Sequence, residues 1–110
     1  MQNSSYKKAL DLLYQASSDD GFLASAVAHS NYKRVWARDG VICGLAALAS
    51  GDAQLIATFE RTLAILARNQ HGTGTIPSNV LVTQNHEEGS YGGLAGRVDA
   101  VTWFIIGVCQ

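Results

Sequence analysis

"QHGTGTIPSNVLVTQNHEEGSYGGLAG", residues 70 to 96, is the stretch on which the fold turns. It holds six of the chain's eleven glycines and its only proline, Pro77. The composition predicts a long loop, with a short strand at "VLVTQ", residues 80 to 84. Connections of this length are uncommon in compact domains, and those that persist usually carry function or disorder.

On either side the pattern turns helical. "DAQLIATFERTLAILARNQ", residues 52 to 70, puts Leu55, Ile56, Phe59, Leu63 and Leu66 along one stripe, with Glu60, Arg61 and Arg68 off it. After the loop, "VDAVTWFIIGVCQ" predicts a helix from Val98 or Asp99 to the end of the chain. It has no cap and no polar tail, so the expectation is a fragment. Upstream, "DGVICGLAALAS" predicts a helix over Asp39 to Ser50, apolar on nearly every face and therefore buried all round. "GD" at Gly51 and Asp52 closes it and caps its successor.

A first helix is expected over Ser5 to Ser17, with Tyr6, Ala9, Leu10, Leu13, Tyr14 and Ser17 at helical spacing. "SSDDG" breaks it. The following "GFLASAVAHSNYKRVW" predicts an extended loop with a short strand near Lys33 to Trp36. The fold class expected is therefore all-α. The second and last helices are inner elements, the third is an outer one, and further helices are needed to bury the inner pair.

A length of 110 residues fits one domain, and 47% hydrophobic residues suit a folded core. A formal charge of −1 and scattered Lys and Arg give no reason to expect nucleic acid or an anionic membrane as partner. Cys43 and Cys109 read as small core residues, and His29, His71 and His86 share no ligand-like spacing, so neither a metal nor a cofactor is expected. No apolar run approaches the roughly 20 residues that span a bilayer. The N-terminus lacks the apolar core of a signal peptide, and a cytoplasmic protein is the default.

Two loop-to-helix junctions carry the chemistry. The first supplies Tyr32, Trp36, Arg38 and Asp39, and the second supplies Tyr91, Arg97, Asp99 and Trp103. Each combines aromatics, an arginine and an aspartate near a helix start. Sugars need this mixture: a flat face for the C–H surface, and planar charged groups for paired hydroxyls. Plainer readings stand beside it. An aspartate at a helix start is usually an N-cap, Trp103 alone is more often core, and Glu87 with Glu88 is more often a solvated pair.

"GFLASAVAHSNYKRVWARDG" resembles the glucoamylase-type segment in which an alanine-serine loop leads to a tyrosine and then W-x-R-D. "GRVDAVTWFI" is similar to the V-D-A-x-x-W-F-I stretch of glycogen-debranching amylo-1,6-glucosidases and, less closely, to neutral invertases. The resemblance implies an (α/α)6 toroid of six helical hairpins, of which residues 1–110 would be the N-terminal part, with an active-site loop at about 70–96. It implies inverting hydrolysis of α-glucosidic bonds. Asp99 would be the general acid, and Tyr32, Trp36, Arg38, Asp39, Arg97, Tyr91 and Trp103 would hold the carbohydrate. Inversion requires a second carboxylate roughly 6.5–9.5 Å from the first. The base is expected outside this chain. Two alternatives stay open: a neutral-invertase-like sucrose hydrolase, and a non-catalytic helical interaction module. Under either reading exposed apolar helices predict self-association.

Overall fold

A computed structural model of the chain describes residues 4–24, 34–84, 86–91 and 98–110. Within these residues lie four helices, α1 (Ser4–Ala16), α2 (Ala37–Ser50), α3 (Ala53–Arg68) and α4 (Val98–Val108), with five strands after α1 and after α3. The strands are β1 (Ser17–Ser18), β2 (Gly21–Phe22), β3 (Val35–Trp36), β4 (Asn79–Thr83) and β5 (His86–Ser90). β1 and β2 form one antiparallel pair, and β3-β4-β5 form a three-stranded antiparallel sheet.

This overturns the all-α expectation: the domain is mixed α/β, not the start of an all-α toroid. The reason lies in the stretch read as loop. Asn79 pairs with Ser90, Val80 with Gly89, and the register continues to Thr83 with His86. β4 is rich in β-branched residues, and Val80 is fully buried. β5 reads His-Glu-Glu-Gly-Ser, residues of low strand propensity that are tolerated because it lies at the sheet edge. β3 joins from far away, with Val35 opposite Val80 and Trp36 opposite Asn79.

The core has two clusters. In one, Val35, Ala37, Ile65, Leu66, Ile76, Val80 and Ala100 pack the sheet onto α3 and the start of α4. In the other, Phe22, Val41, Ala47, Leu55 and Phe59 join α2 to α3 and β2. α3 is therefore the central helix, not an outer one. Its stripe is widened by Thr58 and Thr62, both buried, whose hydroxyls bond to Gln54 O at 3.1 Å and Thr58 O at 2.9 Å. Hydroxyls satisfied in this way are buried at little penalty.

Neither α2 nor α4 is buried all round. α2 buries Ala37, Gly40, Val41, Gly44 and Ala47 and leaves Ile42, Ala46 and Ala49 exposed. α4 leaves Ile105, Ile106 and Val108 exposed. The buried side of α2 packs closely on α3, since a Cβ at Gly44 would lie 1.9 Å from a Phe59 ring carbon and one at Gly40 would lie 2.7 Å from Thr62 Cγ2.

The turn between α2 and α3 matches its sequence. Gly51 takes a left-handed conformation at φ 71°, and the Asp52 carboxylate accepts from the Gln54 and Leu55 amides at the start of α3. Tyr14 donates to the same carboxylate and ties α1 to this turn. That hydrogen bond, with the two amides, holds Asp52 below the usual carboxylate range and pushes the Tyr14 phenol up. Among the described residues, no helix is long and apolar enough to cross a membrane.

Candidate functional site

The starts of α2 and α4 come together at a small recess lined by Trp36, Arg38, Asp39, Ser78 and Asp99, with Ala37 and Ala100 at its base. Sequence order alone does not bring these residues together. β3 runs directly into α2, with Trp36 in extended conformation at the helix boundary, where its side chain makes no capping hydrogen bond. Ala37 N donates to Ser78 O at 2.9 Å, which fixes the start of α2 against the approach to β4. Ala37 and Ala100 are both buried in the sheet-side core cluster, so the base of the recess is part of the core.

Arg38 Nη1 donates to Asp99 Oδ2 at 3.4 Å, a half-exposed ion pair bridging the two helix starts. Asp39 lies in the first turn of α2 rather than at its cap, because the helix begins two residues earlier than its sequence suggests. It is placed where the helix dipole favours a negative charge. Asp99 likewise sits in the first turn of α4.

Ser78 belongs to the recess but carries no signal in the sequence, where it follows Pro77 inside the glycine-rich stretch. Its hydroxyl donates to Ser90 O at 3.0 Å and receives Asn79 Nδ2 at 3.2 Å. Asn79 Oδ1 in turn accepts from Arg34 Nη1 at 3.0 Å. A polar chain thus runs from Arg34 through Asn79 to the wall of the recess.

The remaining expected site residues lie elsewhere. Trp103 packs against the α2–α3 core cluster, which is the plainer of its two readings. The Tyr91 hydroxyl donates to Asn69 O, and its ring meets His71 edge-on at 5.6 Å. Glu87 accepts from Arg68 at 2.9 Å and from Asn69 at 3.0 Å. The Arg68 hydrogen bond, then that of Asn69, holds the Glu87 carboxyl below its usual range. Glu88 is exposed. Tyr32 and Arg97 lie outside the described residues.

The recess has a volume of about 20 Å³, room for one water or one hydroxyl group. It offers a guanidinium donor, two carboxylate acceptors, a serine hydroxyl and an indole. Among the described residues, no group of three His, Cys, Asp or Glu side chains is arranged to hold a metal ion. The free thiols Cys43 and Cys109 are partly buried and exposed, respectively. In comparisons with protein-family models, curated proteins and solved structures, none matches this chain.

Proposed function

We propose that the recess is the floor of a carbohydrate site and that the chain acts as, or within, a glycoside hydrolase cleaving α-glucosidic bonds. One observation carries this reading. Trp36, Arg38 and Asp39 share a single recess with Asp99, from which Arg38 is separated by 61 positions. The groups match what a sugar needs, since a ring hydroxyl both donates and accepts. Asp39 or Asp99 would accept the hydrogen bond of its O–H, Arg38 would donate to its oxygen, and Trp36 would cover C–H surface.

The 20 Å³ volume limits what enters to one hydroxyl, so the ring itself rests above the floor. A hydroxyl entering here competes with Asp99 for the Arg38 fork, and binding therefore opens the ion pair. In hydrolysis Asp99, freed from Arg38 and protonated from solvent, would deliver that proton to the leaving oxygen, and the water-activating carboxylate would come from beyond the residues lining the recess. The free thiols suit a reducing compartment, and a cytoplasmic setting is part of this proposal.

The test compares wild type with Asp99→Asn and Trp36→Ala on a panel of α-glucosides and sucrose, beside an NMR titration with the same sugars. Asp99→Asn is expected to lower hydrolysis by about 10²–10⁴-fold while sugar binding persists. Trp36→Ala is expected to abolish the sugar-induced shifts. Hydrolysis by Asp99→Asn at the wild-type rate removes the acid assignment. A wild-type spectrum unchanged by every sugar removes the site.

A further inference from the structure

We propose that the polar cleft between the C-terminal end of α1 and the N-terminal half of α3 binds a small hydroxy acid, with Arg61 as the anchor of its carboxylate. The cleft has a volume of about 290 Å³. Tyr14 and Ser17 form one wall, and Gln54, Ala57, Thr58 and Arg61, which recur along one face of α3, form the other. None of these side chains is acidic, and none belongs to the recess.

The guanidinium is only partly spent. Arg61 Nη2 donates to Ser18 O at 3.1 Å and to Thr58 Oγ1 at 3.0 Å, which uses both its hydrogens and fixes the head group beside the cleft. Nε–H is buried without a partner, and among the described residues Nη1 has no hydrogen-bond partner either. Among the same residues no carboxylate pairs with Arg61. An unpaired donor cut off from water costs free energy, and a negative charge beside the same guanidinium offsets part of it. Nη1, which unlike Nε is not buried, is the donor that such a charge would meet. A lining with a single cation suits a monoanion, hence a carboxylate rather than a doubly charged phosphate.

The hydroxyls set what else the ligand carries. Thr58 has one hydroxyl proton, which goes to Gln54 O at 3.1 Å. Its contact with Ser17 Oγ at 2.5 Å is therefore donated by Ser17. The Tyr14 hydroxyl donates to Asp52. With their protons committed, Ser17 and Tyr14 meet the cleft as acceptors, and the ligand has to bring a donor of its own. Ser17 Oγ is two hydrogen bonds from Arg61 Nη2, through Thr58 Oγ1. A hydroxyl on the carbon next to a carboxylate spans that interval while the carboxylate stays on the guanidinium. Asp52, bonded to Tyr14, adds negative charge at the other end and disfavours a second acidic group there.

The experiment titrates wild type, Arg61→Gln and Ala57→Leu with glycolate, lactate, acetate and inorganic phosphate, following backbone amide shifts by NMR. Wild type is expected to show saturable shifts at Ser17, Ala57 and Arg61 with glycolate and lactate, about threefold tighter than with acetate. Arg61→Gln is expected to weaken binding by about tenfold or more, because a charge-assisted contact is lost. Arg61 also holds Ser18, so a second variant guards against a folding defect. Ala57→Leu fills the cleft and leaves the Arg61 hydrogen bonds in place; with its fold checked by the same spectra, it is expected to lose binding. Wild-type shifts that fail to saturate, or glycolate binding unchanged in either variant, overturn the proposal. Acetate binding as tightly as glycolate, or phosphate binding more tightly, also overturns it. Shifts confined to Trp36 and Asp99 would move the ligand to the recess, and the proposal falls while the recess stands.

Discussion

The two sides of α2 meet their neighbours in opposite ways. Toward α3, Gly40 and Gly44 lie one turn apart and let the backbones approach so closely that no Cβ fits at Gly44. Toward α1, Ala46 and Ala49 face a 650 Å³ gap. Both sides are made of small apolar residues. The difference comes from the partner: α3 offers Phe59 and Thr62, shaped to the two glycines, whereas α1 is tied at its C-terminal end by Tyr14 and by β1. Small residues permit close packing; only a matched partner produces it.

The largest effect should come from closing the tight side. Gly44→Ala gains about 1 kcal/mol of helix propensity, yet its methyl would overlap the Phe59 ring. A buried ring cannot yield, and a net loss of about 2 kcal/mol in urea denaturation is expected. An unchanged midpoint would show the α2–α3 contact to be looser than described. Gly40→Ala meets only the Thr62 methyl, but rotating Thr62 would break its hydroxyl's bonds to Phe22 N and Thr58 O, each 2.9 Å. The expected net loss is about 1 kcal/mol, and Gly40→Ala paired with Thr62→Ser should recover part of it.

A smaller effect tests the hairpin. Glu87→Gln should lower stability by about 0.5 kcal/mol at neutral pH, since the Arg68 partner is half exposed. Glu87 has a lowered folded-state pKa, so its contribution is complete above the unfolded carboxyl value and vanishes as pH falls through the folded one. Wild type and variant should therefore converge in stability as the pH falls through the lowered folded-state value of Glu87, and also in high salt. Divergence at low pH would contradict the assignment. The smallest effect belongs to the open side. Ile42→Thr, at an exposed position, should stay within about 0.5 kcal/mol of wild type. A larger loss would mean that this side is covered after all.

The helices were legible because their apolar stripes are local. α3 and the Gly51–Asp52 cap could be read from the sequence to within two residues. The sheet was legible only in part: short strands were expected where β3 and β4 lie, but their pairing is distant and the edge strand β5 is polar. Nothing in "HEEGS" favours a strand until Val80 and Ile76 fix its neighbour in the core. Without β5 and the β1–β2 pair, two isolated short strands did not suggest a sheet, and the expectation stayed all-α. In the recess, Trp36, Arg38, Asp39 and Asp99 were found by residue type at helix starts. Ser78 was missed because only the β3–β4 pairing carries it there. Trp103 and Tyr91 share the chemistry of site residues, but their surroundings are core and loop, which residue type cannot reveal.

The bond from Ala37 N to Ser78 O and the Arg38–Asp99 pair have a consequence for the order of assembly. α2 and α3 are joined by two residues and can meet early in folding. The recess needs three segments spread from Trp36 to Ala100, and so waits on the closure of long stretches of chain, the slow step in folding. Its assembly is therefore expected to follow the α2–α3 contact, and opening of α4 would remove Asp99 and Ala100 from it. A ligand of the proposed site would recognise only the finished fold.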